Sequence, residues 1–372
     1  MSNIDITNFV DINIVRKDQI TIDSTRETTL LLCDNVDTLE KEITNIEDAK
    51  RLLSGDTIAL KYAKTYFNNG GISLKILKYD STGAEANKNN IKNLDKKYIV
   101  IAYAKKNNLS DIKALAALFK EDKNVDQKIF LANEPVKADS ESYSDLKEYP
   151  NIAIKLTPTE DTDNKYCGCE MTIASYLSQI NVYKSSSIKD YMFTIEQEDS
   201  DSKLELNISN GQYLKAIEGN RNLDIMLASR IRNCGGNLTN GVDLVNQFCL
   251  IVLNQTLMES ALNVLTSKIK GQTGLSELYV ALAEELNKYT RSGYLVTDRI
   301  WTKKDLIVKD SKGNSHTIIS QNTALLNGYK IVILPYSSLS DEEVKEHKTP
   351  YIYVVLAEGY GIRVITINGE VM

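Results

Sequence analysis

The sequence predicts a multi-domain protein of the α/β and α+β classes. It has a C-terminal core domain of mixed sheet plus helices, an inserted α/β domain, and extended N- and C-terminal strand arms. Three observations carry this reading. Strand and helix patterns alternate from Tyr98 to Asn181, as in a doubly wound unit. Two long helical runs between Gly241 and Tyr289 are followed by strand-rich chain. Alternating apolar residues stand near both ends.

The first arm carries Val10, Ile12 and Ile14, separated by Asp11 and Asn13, and the pattern returns at Ile20 and Ile22 around Thr21. Thr29 to Cys33 reads as a buried strand. Ile46 to Leu53 and Ile58 to Phe67 read as helices, the second with Tyr62, Ala63, Tyr66 and Phe67. Gly70-Gly71 follows that helix and precedes the strand Ile72 to Tyr79. That is the reverse of the strand–glycine–helix order used to cradle phosphate, so the pair is a helix stop. Residues 81–97 are polar and rich in Asn and Lys, which marks a linker or exposed loop.

The α/β unit then runs in order. Tyr98 to Ala104 is a strand, Ser110 to Lys120 a helix, and Lys128 to Ala132 a strand. A short helix near Tyr143 and Leu146 precedes the strand Ile152 to Leu156, and Gly168 to Asn181 is a further helix. Lys105-Lys106-Asn107-Asn108 follows the first strand without the glycines that let backbone amides approach a pyrophosphate. Met192 to Ile195 and Leu204 to Ile208 fit a hairpin around the acidic turn Asp199-Ser200-Asp201-Ser202, which lacks the glycine and distal glutamate of a calcium loop. Asp224 to Arg232 reads as a strand ended by Cys234-Gly235-Gly236.

The helical pair follows. Leu244, Phe248, Ile251, Gln255, Met258, Leu262, Leu265 and Ile269 recur at helical steps and mark one face. Leu275, Leu278, Leu282, Leu286 and Tyr289 mark the second helix, stopped by Arg291-Ser292-Gly293. A hairpin is expected at Asp305 to Lys309 and His316 to Ile319, then a strand at Tyr329 to Leu334. A short helix from Leu339 to His347 is opened by the capping box Ser340 and Glu343. Strands at Tyr351 to Leu356 and Ile362 to Ile367 end the chain. The pattern divides the chain into a 1–25 arm, α/β domains over 26–190, and a C-terminal domain over 191–372 with its own arm at 360–372.

Composition narrows the function classes. At 372 residues the chain holds roughly two or three domains. A net charge of −6, with no basic run interleaved with aromatics, argues against nucleic-acid binding. No apolar run reaches membrane-span length, and the polar start is not a signal peptide, so no membrane partner is expected. Five scattered cysteines read as cytosolic free thiols.

Catalytic chemistry finds little to use. The two histidines, His316 and His347, lie in a hairpin and at a helix end, and no nucleophile elbow is present. Cys167-Gly168-Cys169 is the best metal or redox candidate but lacks the second pair and two-residue spacer of zinc or thioredoxin-like sites. Glu284-Glu285 and Glu342-Glu343 are helix neighbours that point apart. No catalytic, cofactor-binding or metal residue is assigned, and no cofactor is expected.

The order of several segments resembles the contractile tail sheath proteins of bacteriophages and phage-tail-like bacteriocins. The pieces are the N-terminal arm, the segment from Tyr66 to Leu74, and the α/β insertion. Most telling is Lys270-Gly271-Gln272-Thr273-Gly274-Leu275 followed by Leu286-Asn287-Lys288-Tyr289, Ser292-Gly293-Tyr294-Leu295 and Asn327-Gly328-Tyr329. Lys345 to Pro350 departs from the arginine–proline pattern often seen there, and Ser292 stands where an asparagine is usual.

The resemblance implies a virion structural protein that polymerises as a helical homopolymer of stacked rings around an inner tail tube protein. Its further partners would be baseplate and tail terminator proteins. It would assemble in the bacterial cytoplasm as part of a virion tail or a released tailocin particle. The terminal strands would be exchanged between neighbouring subunits, with Val10, Ile12, Ile14, Val364, Ile365 and Ile367 carrying the exchange. The alternatives are another tail or baseplate component, or an enzyme built on the α/β unit through Cys167 and Cys169.

Overall fold

The computed structural model describes residues 26–36, 40–94, 97–121, 128–159, 166–184, 188–189, 191–192, 206–227, 230–266 and 271–359. The chain divides into two compact units. One holds Thr25–Ile180 and Lys189–Phe248, the other Asn181–Ile188 and Cys249–Gly359.

The first unit is built on β1 (Arg26–Cys33), β2 (Glu40–Ile43), α1 (Ile46–Leu52), α2 (Thr57–Asn68), β3 (Leu74–Lys78), α3 (Ala84–Lys92) and β4 (Lys97–Tyr103). It continues through α4 (Leu109–Glu121), β5 (Ile129–Pro135), β6 (Ile152–Thr157), α5 (Met171–Ser178), α6 (Asn210–Glu218), β7 (Leu223–Leu227) and β8 (Arg230–Cys234). Six strands form one sheet in the order β2-β3-β1-β4-β5-β6. All neighbours are parallel except β2, which runs antiparallel to β3. The parallel part is doubly wound, with its order reversing at β1. Strand β1 lies in the middle, and its run Leu30-Leu31-Leu32-Cys33 is fully buried, as a strand covered on both faces must be. The edge strand β2, beyond β3, is short and carries Glu40, Lys41 and Glu42, charges that discourage pairing with another chain. Beyond β6, the Leu156 amide donates to Asn222 O at 2.8 Å and the Asn222 amide to Ile154 O at 2.9 Å, a single parallel bridge that sets the separate two-stranded β7–β8 sheet beside β6.

Helix α2 shows how local sequence fixes its ends. Asp56 caps its start by accepting from the Ala59 amide at 2.9 Å. Gly70 closes it with φ +87°, and the Gly71 amide returns to Tyr66 O at 2.9 Å. A Cβ at Gly71 would overlap the Tyr66 ring, so both glycines of the predicted helix stop are needed.

Four expectations in this unit change. The stretch 81–97, expected as a linker, contains α3, with Ile91 and Leu94 buried. Its polar sequence hides Asn87, which is fully buried and bonds Asp80 N, Asp80 O and Gly83 O at 2.8–2.9 Å. No helix forms near Tyr143 and Leu146. The chain turns there, with Leu146 buried and the Tyr143 ring 5.0 Å from the Arg221 guanidinium. The expected strand from Asp224 to Arg232 is the hairpin β7–β8. Helix α6 was not among the predicted elements, although Ser209 and Gln212 form a full capping box at its start. The hairpin expected at Met192 to Ile208 falls almost wholly outside the described residues.

The second unit contains most of α7 (Leu244–Thr266), then α8 (Gly271–Ser292), β9 (Arg299–Ile300), β10 (Leu306–Lys309), β11 (Ser315–Ile319), β12 (Ala324–Leu325), β13 (Tyr329–Ile333), α9 (Asp341–Lys345) and β14 (Ile352–Leu356). The helical pair is present as expected, but α7 is buried on every side from Leu244 to Met258 rather than on one face, and only farther on do Glu259 and Asn263 reach the surface. Leu250, Val252, Leu253 and Leu257 fill the faces between the predicted positions. Tyr289 of α8 is fully buried, and its hydroxyl lies 3.2 Å from Thr256 Oγ1 of α7. The β10–β11 hairpin and α9, with the Ser340/Glu343 capping box, also form as expected. Strands β13 and β14 pair antiparallel from Tyr329↔Leu356 to Ile333↔Ile352. A small core of Ile318, Ile319, Leu325, Leu334, Val355 and Ala357 lies beneath these strands.

Candidate functional site

The feature best suited to assembly is the outer edge of β14. The Ala357 amide donates to Gly328 O at 2.8 Å and the Leu334 amide to Tyr351 O at 3.0 Å. Backbone groups alternate sides along an antiparallel strand, so Tyr351, Tyr353, Val355 and Ala357 address β13. Ile352, Val354 and Leu356 therefore present their N–H and C=O groups on the other side. Among the described residues no strand pairs there. Past β14 the chain bridges Glu358 to Leu295 and leaves the described region after Gly359.

The hairpin β10–β11 makes an informative contrast. Its register shifts between Leu306 and Ile307, and Lys303, Lys304 and Lys309 stand exposed beside or on β10. Bulges and lysines are how natural edges avoid pairing. The β13–β14 ladder has an unbroken register, and its ten residues include one charge, Lys330. One edge is blunted; the other is not.

The residues expected to carry strand exchange, Val10, Ile12, Ile14, Val364, Ile365 and Ile367, lie outside the described residues. Cys167 and Cys169 are buried, and neither is in a disulfide. Burial pushes the Cys169 thiol well above its ordinary range, the opposite of a reactive cysteine. Gly168 between them has φ +84°, and a Cβ there would lie 2.8 Å from the Cα of Tyr62, so the motif is a turn packed closely on α2. Among the described residues no group of three or more His, Cys, Asp or Glu side chains could hold a metal ion.

His316, Glu285 and Glu343 have local partners. His316 Nε2 lies 2.8 Å from Asp310 Oδ2 at the hairpin turn, and this bond is the main reason the Asp310 carboxyl is held down to about 2. His347 follows α9 in a left-handed conformation, φ +56°. Glu285 is buried and accepts from Lys288 at 2.6 Å, while Glu284 points outward. Glu343 belongs to its capping box.

Two buried polar centres were not legible as such. At the carboxyl ends of the parallel strands, the fully buried Glu170 accepts from Tyr62 Oη at 2.7 Å, Asn133 Nδ2 at 2.6 Å and Asn108 Nδ2 at 3.2 Å. Burial raises its carboxyl above the ordinary glutamate value, although these donors oppose the shift. Between β6 and β7, Lys155 Nζ lies 2.6 Å from Asp224 Oδ1, with both side chains shielded from water. Thr172 Oγ1 and Tyr191 Oη, at 2.9 and 3.1 Å, complete the ammonium's surroundings. Single charged or amide residues on separate elements give no sequence pattern that would announce such centres.

With this geometry the chain shows the fold of contractile tail sheath proteins. Its structure is similar to a chain of the helical sheath of the anti-feeding prophage in its contracted state, with a TM-score of 0.63 and 13% identity, covering 97% of this chain and 98% of that one. It is equally similar to a chain in the six-fold symmetrised baseplate of the same particle, with a TM-score of 0.63, 13% identity and coverage of 96% and 99%. The sheath tail protein from Desulfitobacterium hafniense matches with a TM-score of 0.50 and 7% identity, over 77% of this chain and 91% of that one. No protein-family model and no curated protein sequence matches the chain. The expected mixed α/β, multi-domain fold class is thus borne out.

Proposed function

We propose that the chain is a structural subunit of a contractile tail sheath. It polymerises around an inner tube and contracts to drive that tube through a target cell envelope. The observation that carries this reading is the likeness, over nearly the whole chain, to a sheath in its contracted state. The open β14 edge supports the mechanism. An extended arm from a neighbouring subunit adds to Ile352, Val354 and Leu356 by backbone pairing, and apolar side chains at alternate positions fix its register. Val10, Ile12, Ile14, Val364, Ile365 and Ile367 supply such strands.

Backbone pairing suits the task, because a paired rung survives large rigid-body motion when the connecting arms flex. Contraction is then the passage from one lattice to another of lower free energy, with repacked interfaces and no reaction catalysed. The partners are other copies of the chain, an inner tube protein and the baseplate and terminator proteins that close the tail. Assembly takes place in the bacterial cytoplasm. Expression of the full chain is expected to yield long tubes by electron microscopy, whereas a baseplate component would stay oligomeric. Deleting the residues after Gly361 is expected to abolish the tubes and leave a folded chain. Normal tubes from that truncation would overturn the exchange.

A further inference from the structure

The doubly wound sheet has a crevice that its own chain fills. In open α/β sheets ligands bind outside the carboxyl ends of the strands, beside the reversal of strand order. Glu170 lies at those ends. One oxygen of its carboxylate, Oε1, accepts from three side chains on three different elements: Tyr62 of α2, Asn108 after β4, and Asn133 of β5. Glu170, Tyr62 and Asn108 are fully buried and Asn133 nearly so, and among the described residues Glu170 forms no ion pair.

The donors are held in place independently of the carboxylate. Asn133 Oδ1 accepts from the Asn107 amide at 2.6 Å, which aims its Nδ2 at Glu170. The Asn133 amide donates to Asn108 Oδ1 at 2.9 Å, which orients the second amide in the same way. Tyr62 Oη accepts from Asn133 Nδ2 at 2.9 Å, which leaves its own proton for Glu170. A preorganised ring of neutral donors around one carboxylate oxygen is what a binding site for a small carboxylic acid looks like. Here the ligand is covalently part of the chain.

We infer that this crevice is a carboxylate-binding site closed by an internal ligand, Glu170, and that with this side chain removed it takes up a free small monocarboxylate. The test uses the full chain as Glu170→Ala and Glu170→Gly, with sodium formate as the probe and sodium chloride of equal ionic strength as the control. Thermal unfolding of either variant is expected at a lower temperature than the parent. Formate is expected to raise the midpoint with the logarithm of its concentration, as for any ligand that binds only the folded state. The parent is expected to respond equally to both salts. Adding Tyr62→Phe removes one donor and is expected to diminish the formate response without changing the chloride one. Where a variant does not fold unaided, its refolding yield in formate against chloride replaces the midpoint. Equal midpoints or equal yields in the two salts would overturn the inference. The result is independent of tube formation, so it stands or falls apart from the sheath reading.

Discussion

At the residue scale, the first unit rests on charges that only their burial makes consequential. Lys155 and Asp224 are both shielded from water and 2.6 Å apart. Removing one partner leaves the other charged in a dry core, so Lys155→Met is expected to cost about 3–5 kcal/mol. Lys155→Met with Asp224→Leu leaves no orphan charge and is expected to recover most of that loss. Urea unfolding of the parent, both single variants and the double variant checks it, and additive single effects would contradict it. Glu170 makes a pH prediction whose sign follows from burial. Its carboxyl is raised above the ordinary glutamate value of 4.5. The stability it contributes is therefore full below that value and is lost as pH climbs through the raised one. Glu170→Gln cannot titrate. The parent is expected to lose stability relative to Glu170→Gln as pH rises above that ordinary value. A difference in urea midpoints that stays flat with pH would exclude this account.

At the element scale, legibility followed periodicity and caps. Helices α2, α4, α7 and α8 and the parallel strands announce themselves through apolar spacing, and α9 through its capping box. Helix α3 was hidden because Asn87, a polar residue, occupies a core position by satisfying three backbone groups at once. Helix α6 carried a readable signal in Ser209 and Gln212, but its short apolar stripe gave little else. The open edge of β14 was not readable at all, since which backbone groups face outward depends on the pairing with β13. It does yield a sharp test. Val354→Pro removes an outward N–H and leaves the β13 ladder its donors, so a folded chain that forms no tubes is expected. Val355→Pro removes an inward one and is expected to damage the hairpin itself. Circular dichroism and electron microscopy separate the two, and normal tubes from Val354→Pro would contradict the edge's role.

At the scale of the whole molecule, the sheath resemblance was legible from the order of weak segments such as Thr273-Gly274-Leu275, Asn287-Lys288-Tyr289 and Asn327-Gly328-Tyr329. The structure gives those segments physical jobs. Tyr289 joins the helical pair, and Thr290 Oγ1 donates to Asn327 O at 2.9 Å. The Tyr329 hydroxyl lies 3.0 Å from Asn287 Oδ1. Gly328 has φ +78° and sits against Leu295, so the turn into β13 needs a residue without a side chain. The spacing marks a packing junction between α8 and the turn into β13. Nothing in a single chain's sequence, by contrast, reveals the free energy of a lattice.

The two sides of β14 are addressed by different residues, so under the strand exchange proposed above giving and receiving would be uncoupled within one copy. A Val354→Pro chain keeps both of its tips and can still lend them, yet it offers no berth in return. Mixed as a small minority with the parent, it would join a growing polymer and refuse the next arrival. Mean tube length should then shrink as the minority fraction rises, turning one proline into a ruler.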